Sequence, residues 1–142
     1  MNHPQSYAEK LYQQFPTKKL KSIKDYGCCA FVLLWCLGYE PEDIEAILTL
    51  GRMIDKKVID VDCTVYWSPA AEYVSGRKIN VEKIAITTIK GIKERTPVMF
   101  TYNGKSHWVG VENGKIAFNP LENSVCVNKG KPVTCRKITL AA

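Results

Sequence analysis

The stretch DYGCCAFVLLWCLG, residues 25–38, joins a short polar turn to an uninterrupted apolar run. Gly27 precedes the run, and Gly38 follows it at the position where glycine commonly ends a helix. A helix over 28–37 would be apolar on every side, and such a helix lies in the interior of a fold. The run is shorter than the roughly 20 residues that span a bilayer. The stretch therefore predicts a buried central helix.

Two cysteines, Cys28 and Cys29, fall in the first turn of this helix. The free N–H groups and the positive dipole end of a helix stabilise an anion, and a cysteine placed there can have a lowered thiol pKa. A thiolate in that position is a candidate nucleophile. We assign this role to Cys28, which directly follows Gly27, and keep Cys29 as the alternative.

Length and composition predict one globular domain, residues 1–142, with 46% apolar and 24% charged residues. The formal net charge is +6. The lysines of segment 18–24 are not interleaved with stacking aromatic residues, so we expect a solvated face there and do not predict nucleic-acid binding. An anionic cell-wall polymer or an acidic partner would suit the charge.

Neither a signal-peptide pattern nor a membrane-spanning segment is recognisable, so the expected location is the cytoplasm, with no membrane partner. The six cysteines are then expected to be free thiols. Their spacing contains no CxxC and no cysteine–histidine pair suited to zinc, and Asp60, Asp62 and Cys63 mix hard and soft ligands. We predict neither a metal nor a cofactor.

The remaining pattern places helices before strands. Helices are predicted over 5–14, 41–53, 68–75 and part of 85–94, with a lysine-rich connection after Pro16 and a strand-like segment at 78–81. From Pro97 the period changes to two, which predicts strands over 97–102, 106–111, 115–119, 125–128 and 133–140. This order predicts an α+β fold in which the helices pack on one side of an antiparallel sheet of about five strands.

The histidines limit the choice of a general base. His3 lies in a terminus that we expect to fray, which leaves His107. A cysteine nucleophile needs a base, and the base needs a third group that orients its ring. Cys28, His107 and Asn119 supply these three roles in chain order.

Two hairpin registers decide whether His107 and Asn119 meet. A three-residue loop at 112–114 places His107 opposite Asn119, whereas a two-residue turn at Asn113-Gly114 places Asn119 opposite Trp108, facing away. The apolar alternation favours the second register, but a sheet covered on both faces would weaken that argument. We adopt the first register.

These residues carry a family resemblance. Gly27-Cys28 opens the apolar helix, the strand 96–100 precedes Ser106-His107-Trp108-Val109-Gly110-Val111, and Asn119-Pro120 closes the following hairpin. Over residues 22–125 the chain resembles the papain-like cysteine peptidase superfamily. It is nearest the small bacterial branch that includes the double-glycine leader peptidases of bacteriocin exporters and the NlpC-type cell-wall amidases.

The resemblance implies a papain-like fold and thiol-dependent cleavage of an amide bond in a peptide, protein or peptidoglycan-type substrate. It implies that Cys28 attacks, that His107 acts as base and then as acid, and that Asn119 fixes the imidazole. The start of the central helix would form part of the oxyanion hole.

The chain departs from this family just before the cysteine, where a glutamine usually completes the oxyanion hole and this sequence has Ser22-Ile23-Lys24. Loss of one such donor commonly costs about 10²–10³ in rate. Lys24, Tyr26 or a backbone N–H are the candidates to replace it. The departure supports an alternative function, a catalytically inactive papain-like fold that binds a peptide or protein. A nucleic-acid-associated protein rests on charge alone and ranks last.

Overall fold

The computed structural model describes residues 1–141. Its helices are α1 (Pro4–Gln14), α2 (Lys18–Tyr26), α3 (Cys28–Cys36), α4 (Asp43–Asp55), α5 (Trp67–Ser75) and α6 (Val125–Lys129). Its strands are β1 (Ile79–Ala85), β2 (Thr96–Tyr102), β3 (Lys105–Glu112), β4 (Lys115–Phe118) and β5 (Lys131–Leu140). The predicted α+β fold is confirmed.

Helix α3 is the buried central helix that the apolar run predicts. Every residue from Cys29 to Trp35 is buried, and the helix packs on β3, β2 and α4. Arg95 closes its carboxyl end, where Nη1 donates a hydrogen bond of 2.8 Å to the Trp35 carbonyl oxygen and the guanidinium lies 4.3 Å from the centre of the Trp35 ring. Among the described residues, no helix is both long and apolar enough to cross a membrane.

Two glycines allow α3 to approach its neighbours. Gly27 has an ordinary right-handed φ of −75°, so backbone freedom is not why glycine is needed there. A Cβ at Gly27 would lie 2.5 Å from the Ile23 carbonyl oxygen and 3.0 Å from the Phe31 ring. A Cβ at Gly110 would likewise enter the Trp35 ring. The start of α3 and its contact with β3 therefore both depend on the absence of a side chain.

The five strands form one antiparallel sheet in the order β1-β5-β2-β3-β4. Strand β5 lies between β1 and β2, and Cys135 is paired with Ile84 on one side and Val98 on the other. The strands of the sheet are therefore not arranged in the order in which they occur along the chain. The last strand of the chain therefore occupies an interior position of the sheet.

Both faces of the sheet are covered. Helix α3 lies on the face of Gly110, and a second cluster of buried side chains covers the other face. This second cluster consists of Val98, Phe100, Val109, Val111, Cys126 and Cys135. Cys126 belongs to α6, so the helices are not confined to one side as predicted.

Three local predictions are wrong. The lysine-rich connection is helix α2, in which the Thr17 side chain caps Leu20 N–H and Lys21 pairs with Asp25 one turn later. Only Ile23 is buried in it, so the apolar period that usually reveals a helix is missing. Segment 125–128 is helix α6 instead of a strand, because a short apolar run suits either structure.

The predicted helix within 85–94 is the third error. Ile86, Ile89 and Ile92 have the three-residue spacing of a helix face, yet they pack on the second cluster from an irregular connection after β1. The Ile86 N–H donates to the Val133 carbonyl oxygen of β5 instead of to a helical partner. Contact with the sheet decides the conformation of this segment.

We predict that Gly27→Ala destabilises the protein by about 1–3 kcal/mol, the usual cost of forcing a methyl group into packed surroundings. Gly51→Ala is the matched control, because Gly51 lies inside α4 and its added Cβ meets nothing within 4 Å. That change should raise stability by about 0.5–1 kcal/mol through helix propensity. Urea unfolding measures both values, and equal effects of the two substitutions would refute the close approach at Gly27.

Candidate functional site

The β3–β4 hairpin positions Asn119 through a bulge that neither predicted register contained. Near the turn, Val111 pairs with Ile116 and Glu112 with Lys115, which is the register of a two-residue turn. The adopted register is therefore wrong. Beyond a shift between Gly110 and Val111, Gly110 pairs with Phe118. The extra residue returns Asn119, which directly follows β4, to the sheet face of His107.

Asn119 and His107 are joined by a hydrogen bond of 2.7 Å between Asn119 Oδ1 and His107 Nε2. The same Oδ1 accepts a bond of 3.1 Å from the Leu121 N–H, which can only donate and so identifies the acceptor as the amide oxygen. His107 Nε2 must then carry the proton. In the neutral ring this leaves Nδ1 as the basic nitrogen.

His107 is only 4% exposed. Burial lowers the pKa of its imidazole, and the hydrogen bond to Asn119 acts in the opposite direction. A neutral ring with a fixed tautomer therefore occupies this position near neutral pH.

Cys28 lies at the start of α3 and retains partial exposure, whereas Cys29 is buried. Burial raises the pKa of the Cys28 thiol, and the backbone N–H groups of Trp108, Cys29 and Cys28 itself act against the rise. The contact with the Trp108 N–H places the Cys28 sulfur beside β3, at the residue that follows His107. The pKa of Cys29 is raised well above its usual value by burial, which makes Cys28 the better candidate of the two.

The sequence led us to expect a lowered thiol pKa at the start of α3, and the structure gives the opposite direction. Helix α2 ends at Tyr26, directly before the single residue Gly27 that links it to α3. The beginning of α3 is therefore packed against the end of α2, and only part of the Cys28 side chain remains exposed. Desolvation of the thiolate outweighs stabilisation by the nearby N–H groups.

Cys28 opens onto a cleft of about 550 Å³. Its walls include Tyr26, Trp67, Ser106 and Trp108, together with the loop that holds Asp62, Cys63 and Thr64. Cys63 has a positive φ of 61°, an uncommon conformation for a residue with a side chain. A cleft of this size accommodates several residues of an extended peptide or a small molecule.

The two side chains proposed for the oxyanion hole have different surroundings. Lys24 Nζ lies 2.7 Å from Asp25 Oδ1 and 3.2 Å from Glu9 Oε2, and it is not part of the cleft wall. Lys24 is therefore engaged elsewhere and is a poor oxyanion donor. Tyr26 does line the cleft, with 59% of its surface exposed.

No sequence pattern indicates the N-terminal clamp that His3, Gln5 and Ser6 form. His3 Nδ1 donates to the Asn119 carbonyl oxygen at 3.0 Å, and Gln5 N–H donates to that of Pro120 at 3.0 Å. Ser6 Oγ accepts a bond of 2.9 Å from Glu122 N–H. The expectation that His3 frays is therefore wrong. The clamp holds the loop from which Asn119 reaches His107.

Gln5 also connects the clamp to the helix before the cysteines. Its Nε2 donates to the Lys24 carbonyl oxygen at 2.9 Å, and its Oε1 is buried without a hydrogen-bond partner in the described part of the chain. A glutamine is thus present near the end of α2, although it comes from α1 and not from the segment before Cys28. Among residues 1–141, no three histidine, cysteine or acidic side chains converge as a metal site.

No protein-family model matches the chain, and no curated protein or solved structure proved similar to it. The case for a function therefore depends on two separate features, the His107–Asn119 pair and Cys28 with its cleft, whose wall includes neither His107 nor Asn119.

The hydrogen bond to Asn119 predicts opposite pKa changes for two substitutions. Asn119→Ala removes a contact that raises the His107 pKa, so the pKa should fall further below 6.5. Asn119→Asp adds a carboxylate that stabilises the imidazolium, so the pKa should rise. NMR titration of the His107 ring measures both, and shifts of the same sign would contradict the assigned contact.

Stability should follow the same ionisation. The folded-state pKa of His107 lies below the unfolded value of 6.5, so the unfolded chain binds the proton more readily. The contribution of neutral His107 to the free energy of unfolding is complete above pH 6.5 and is lost as the pH falls through the folded-state pKa. Asn119→Asp raises the folded-state pKa of His107, so the protein should lose less stability as the pH falls.

We predict that alkylation of Cys28 by iodoacetamide accelerates by close to tenfold for each pH unit between about pH 7 and 9, because the reactive thiolate stays the minor species when the thiol pKa is raised. Cys36 is the internal reference, since it is also partly exposed but lies outside the cleft wall. Mass-spectrometric mapping after short exposures gives both rates. A rate for Cys28 that is independent of pH in this range would indicate a standing thiolate and contradict the raised pKa.

Proposed function

We propose that the protein is a papain-like cysteine hydrolase that cleaves a peptide or amide bond, in a protein leader or a cell-wall peptide. The observation that carries the proposal is the 2.7 Å bond between His107 Nε2 and Asn119 Oδ1. This bond fixes the His107 ring in the tautomer that a base needs. His107 lies on β3, and the backbone N–H of the next residue, Trp108, is directed at the Cys28 thiol. The cleft beside Cys28, whose wall does not include His107, offers room for the substrate.

In the proposed reaction, Cys28 Sγ attacks the carbonyl carbon and its proton passes to His107 Nδ1. The N–H groups of Cys28 and Cys29 at the start of α3 stabilise the oxyanion. His107 then gives the proton to the departing amine, which leaves a thioester on Cys28. Water, deprotonated by His107, releases the acid and restores the thiol.

The directions of the two pKa shifts specify when the proton moves. A raised thiol pKa and a lowered imidazole pKa both disfavour a thiolate–imidazolium pair at rest. Proton transfer accordingly accompanies attack on the substrate instead of preceding it. This corresponds to general-base catalysis, which commonly contributes about 10²–10⁴ in rate.

Cleavage of peptide libraries and of cell-wall fragments, followed by mass spectrometry, tests the proposal. Cys28→Ala should abolish turnover, and His107→Ala should reduce it by about 10²–10⁴. Asn119→Ala should have a smaller effect, because Asn119 orients the ring without moving a proton. Cys36→Ala is the control that removes a partly exposed thiol away from the cleft and should leave turnover unchanged. Activity that survives Cys28→Ala would refute this nucleophile.

A binding module built on the same fold is the second candidate. It is favoured by the raised thiol pKa of Cys28, by the near-complete burial of His107 and by the engagement of Lys24 with Asp25 and Glu9. If the wild-type chain cleaves no library or fragment, while peptides are retained equally by the wild type and by Cys28→Ala, this second function replaces the first.

A further inference from the structure

A cation that contacts two residues of the cleft wall has no part in the proposed reaction. The Arg136 guanidinium lies 5.4 Å from the centre of the Trp67 ring and 5.2 Å from that of Trp108. The two rings themselves are 5.3 Å apart and tilted by 58°. Both tryptophans line the same cleft as Cys28. Arginine and the two rings thus form one unit, the Trp–Arg cluster, at the edge of the candidate site.

The sheet brings this cluster together. Trp108 of β3 and Thr134 of β5 are both paired with Met99 of β2, so their side chains share a face with Arg136, two residues farther along β5. Arg136 Nη1 donates to Thr134 Oγ1 at 3.2 Å and to the Cys135 carbonyl oxygen at 3.4 Å. Trp67 reaches the cluster from the start of α5. Three separate elements hold the guanidinium in place.

In the part of the chain that the structure describes, the charge of Arg136 is not balanced by a neighbour. Within residues 1–141, no carboxylate lies within ion-pair distance of its guanidinium. The acidic residues of the cleft wall are engaged elsewhere. Asp25 contacts Lys21 at 2.9 Å and Lys24 at 2.7 Å, and Asp62 Oδ1 accepts a bond from Thr64 N–H at 3.1 Å.

A partly buried guanidinium stacked on aromatic rings is well suited to a carboxylate. It is weakly hydrated, its plane is fixed, and its fork of N–H donors matches the two carboxylate oxygens. Within residues 1–141, only Nη1 of the guanidinium donates hydrogen bonds, so the other N–H groups of the fork are available to a ligand. The neighbouring tryptophans would exclude water from such a pair and strengthen it.

We propose that the Trp–Arg cluster is a substrate subsite in which Arg136 binds a carboxylate of the peptide, close to the amide bond that Cys28 attacks. The subsite rests on the proposed hydrolase function and narrows its substrate class to peptides with a negative charge near the cleaved bond. The carboxylate belongs either to an acidic side chain or to the carboxyl end of the peptide. Both share the chemistry that Arg136 recognises.

Three mixtures of short acetylated peptides separate these sources. The first carries glutamate and an amidated carboxyl end, the second carries glutamine and a free carboxyl end, and the third carries glutamine and an amidated end. The wild type should cleave one of the two charged mixtures about tenfold or more faster than the neutral mixture. A rate ratio of this size is the range of one charge-assisted hydrogen bond. The preferred mixture identifies the source.

Substitutions then assign the preference to Arg136. Arg136→Met keeps an apolar stem against the tryptophans and should reduce the ratio of charged to neutral cleavage to about one. Arg136→Lys keeps the charge without the planar fork and should give an intermediate ratio, so the test still decides if Arg136→Met fails to fold. Lys137→Met removes the same charge from the next, exposed residue and should leave the ratio unchanged.

Equal cleavage of all mixtures by the wild type, or a preference that persists in Arg136→Met, would overturn the subsite. If the wild type cleaves no mixture, the hydrolase proposal fails separately, and the subsite is judged by binding. Retention of the charged peptides on immobilised wild-type protein, lost in Arg136→Met and kept in Lys137→Met, would support it. Equal retention by the wild type and Arg136→Met would end it.

Discussion

A helix without a polar face has to be enclosed on all sides, and the enclosure of α3 governs the rest of this molecule. Helix α4 and the sheet cover the helix, Arg95 caps its carboxyl end, and Gly110 lets the Trp35 ring lie directly on β3. At the other end, Gly27 allows α2 to meet α3 without a gap in the packing. The same packing that buries the helix therefore fixes where Cys28 stands.

Enclosure also sets the electrostatics of the candidate site. Burial disfavours charge on any group, so it raises the pKa of the Cys28 thiol and lowers that of the His107 imidazole. Backbone N–H groups and the Asn119 side chain oppose these shifts without reversing them. The same packing that buries the two groups thus favours the neutral form of both.

The sequence was sufficient to predict the structure wherever one local pattern of residues determines it. The apolar run of α3 allows no other placement, and the change to period two at Pro97 locates β2, β3 and β4 closely. It was insufficient where distant contacts decide. Helix α2 buries only Ile23, the connection 86–92 takes its shape from the sheet, and the position of β5 between β1 and β2 cannot be inferred from strand patterns alone. His107 and Asn119 were identified from chain order, but the bulge that brings them to one face is invisible in the residues themselves.

The N-terminal clamp links residues that are 116 positions apart, His3 with Asn119 and Ser6 with Glu122. During synthesis, α1 leaves the ribosome long before the loop that it holds. Closing so long a loop is entropically costly, and the clamp can form only after the loop at 119–122 has been synthesised. A nascent chain can therefore enclose part of its core while the His107 ring still lacks its support. The support that α1 gives to the contact between His107 and Asn119 therefore comes late in folding.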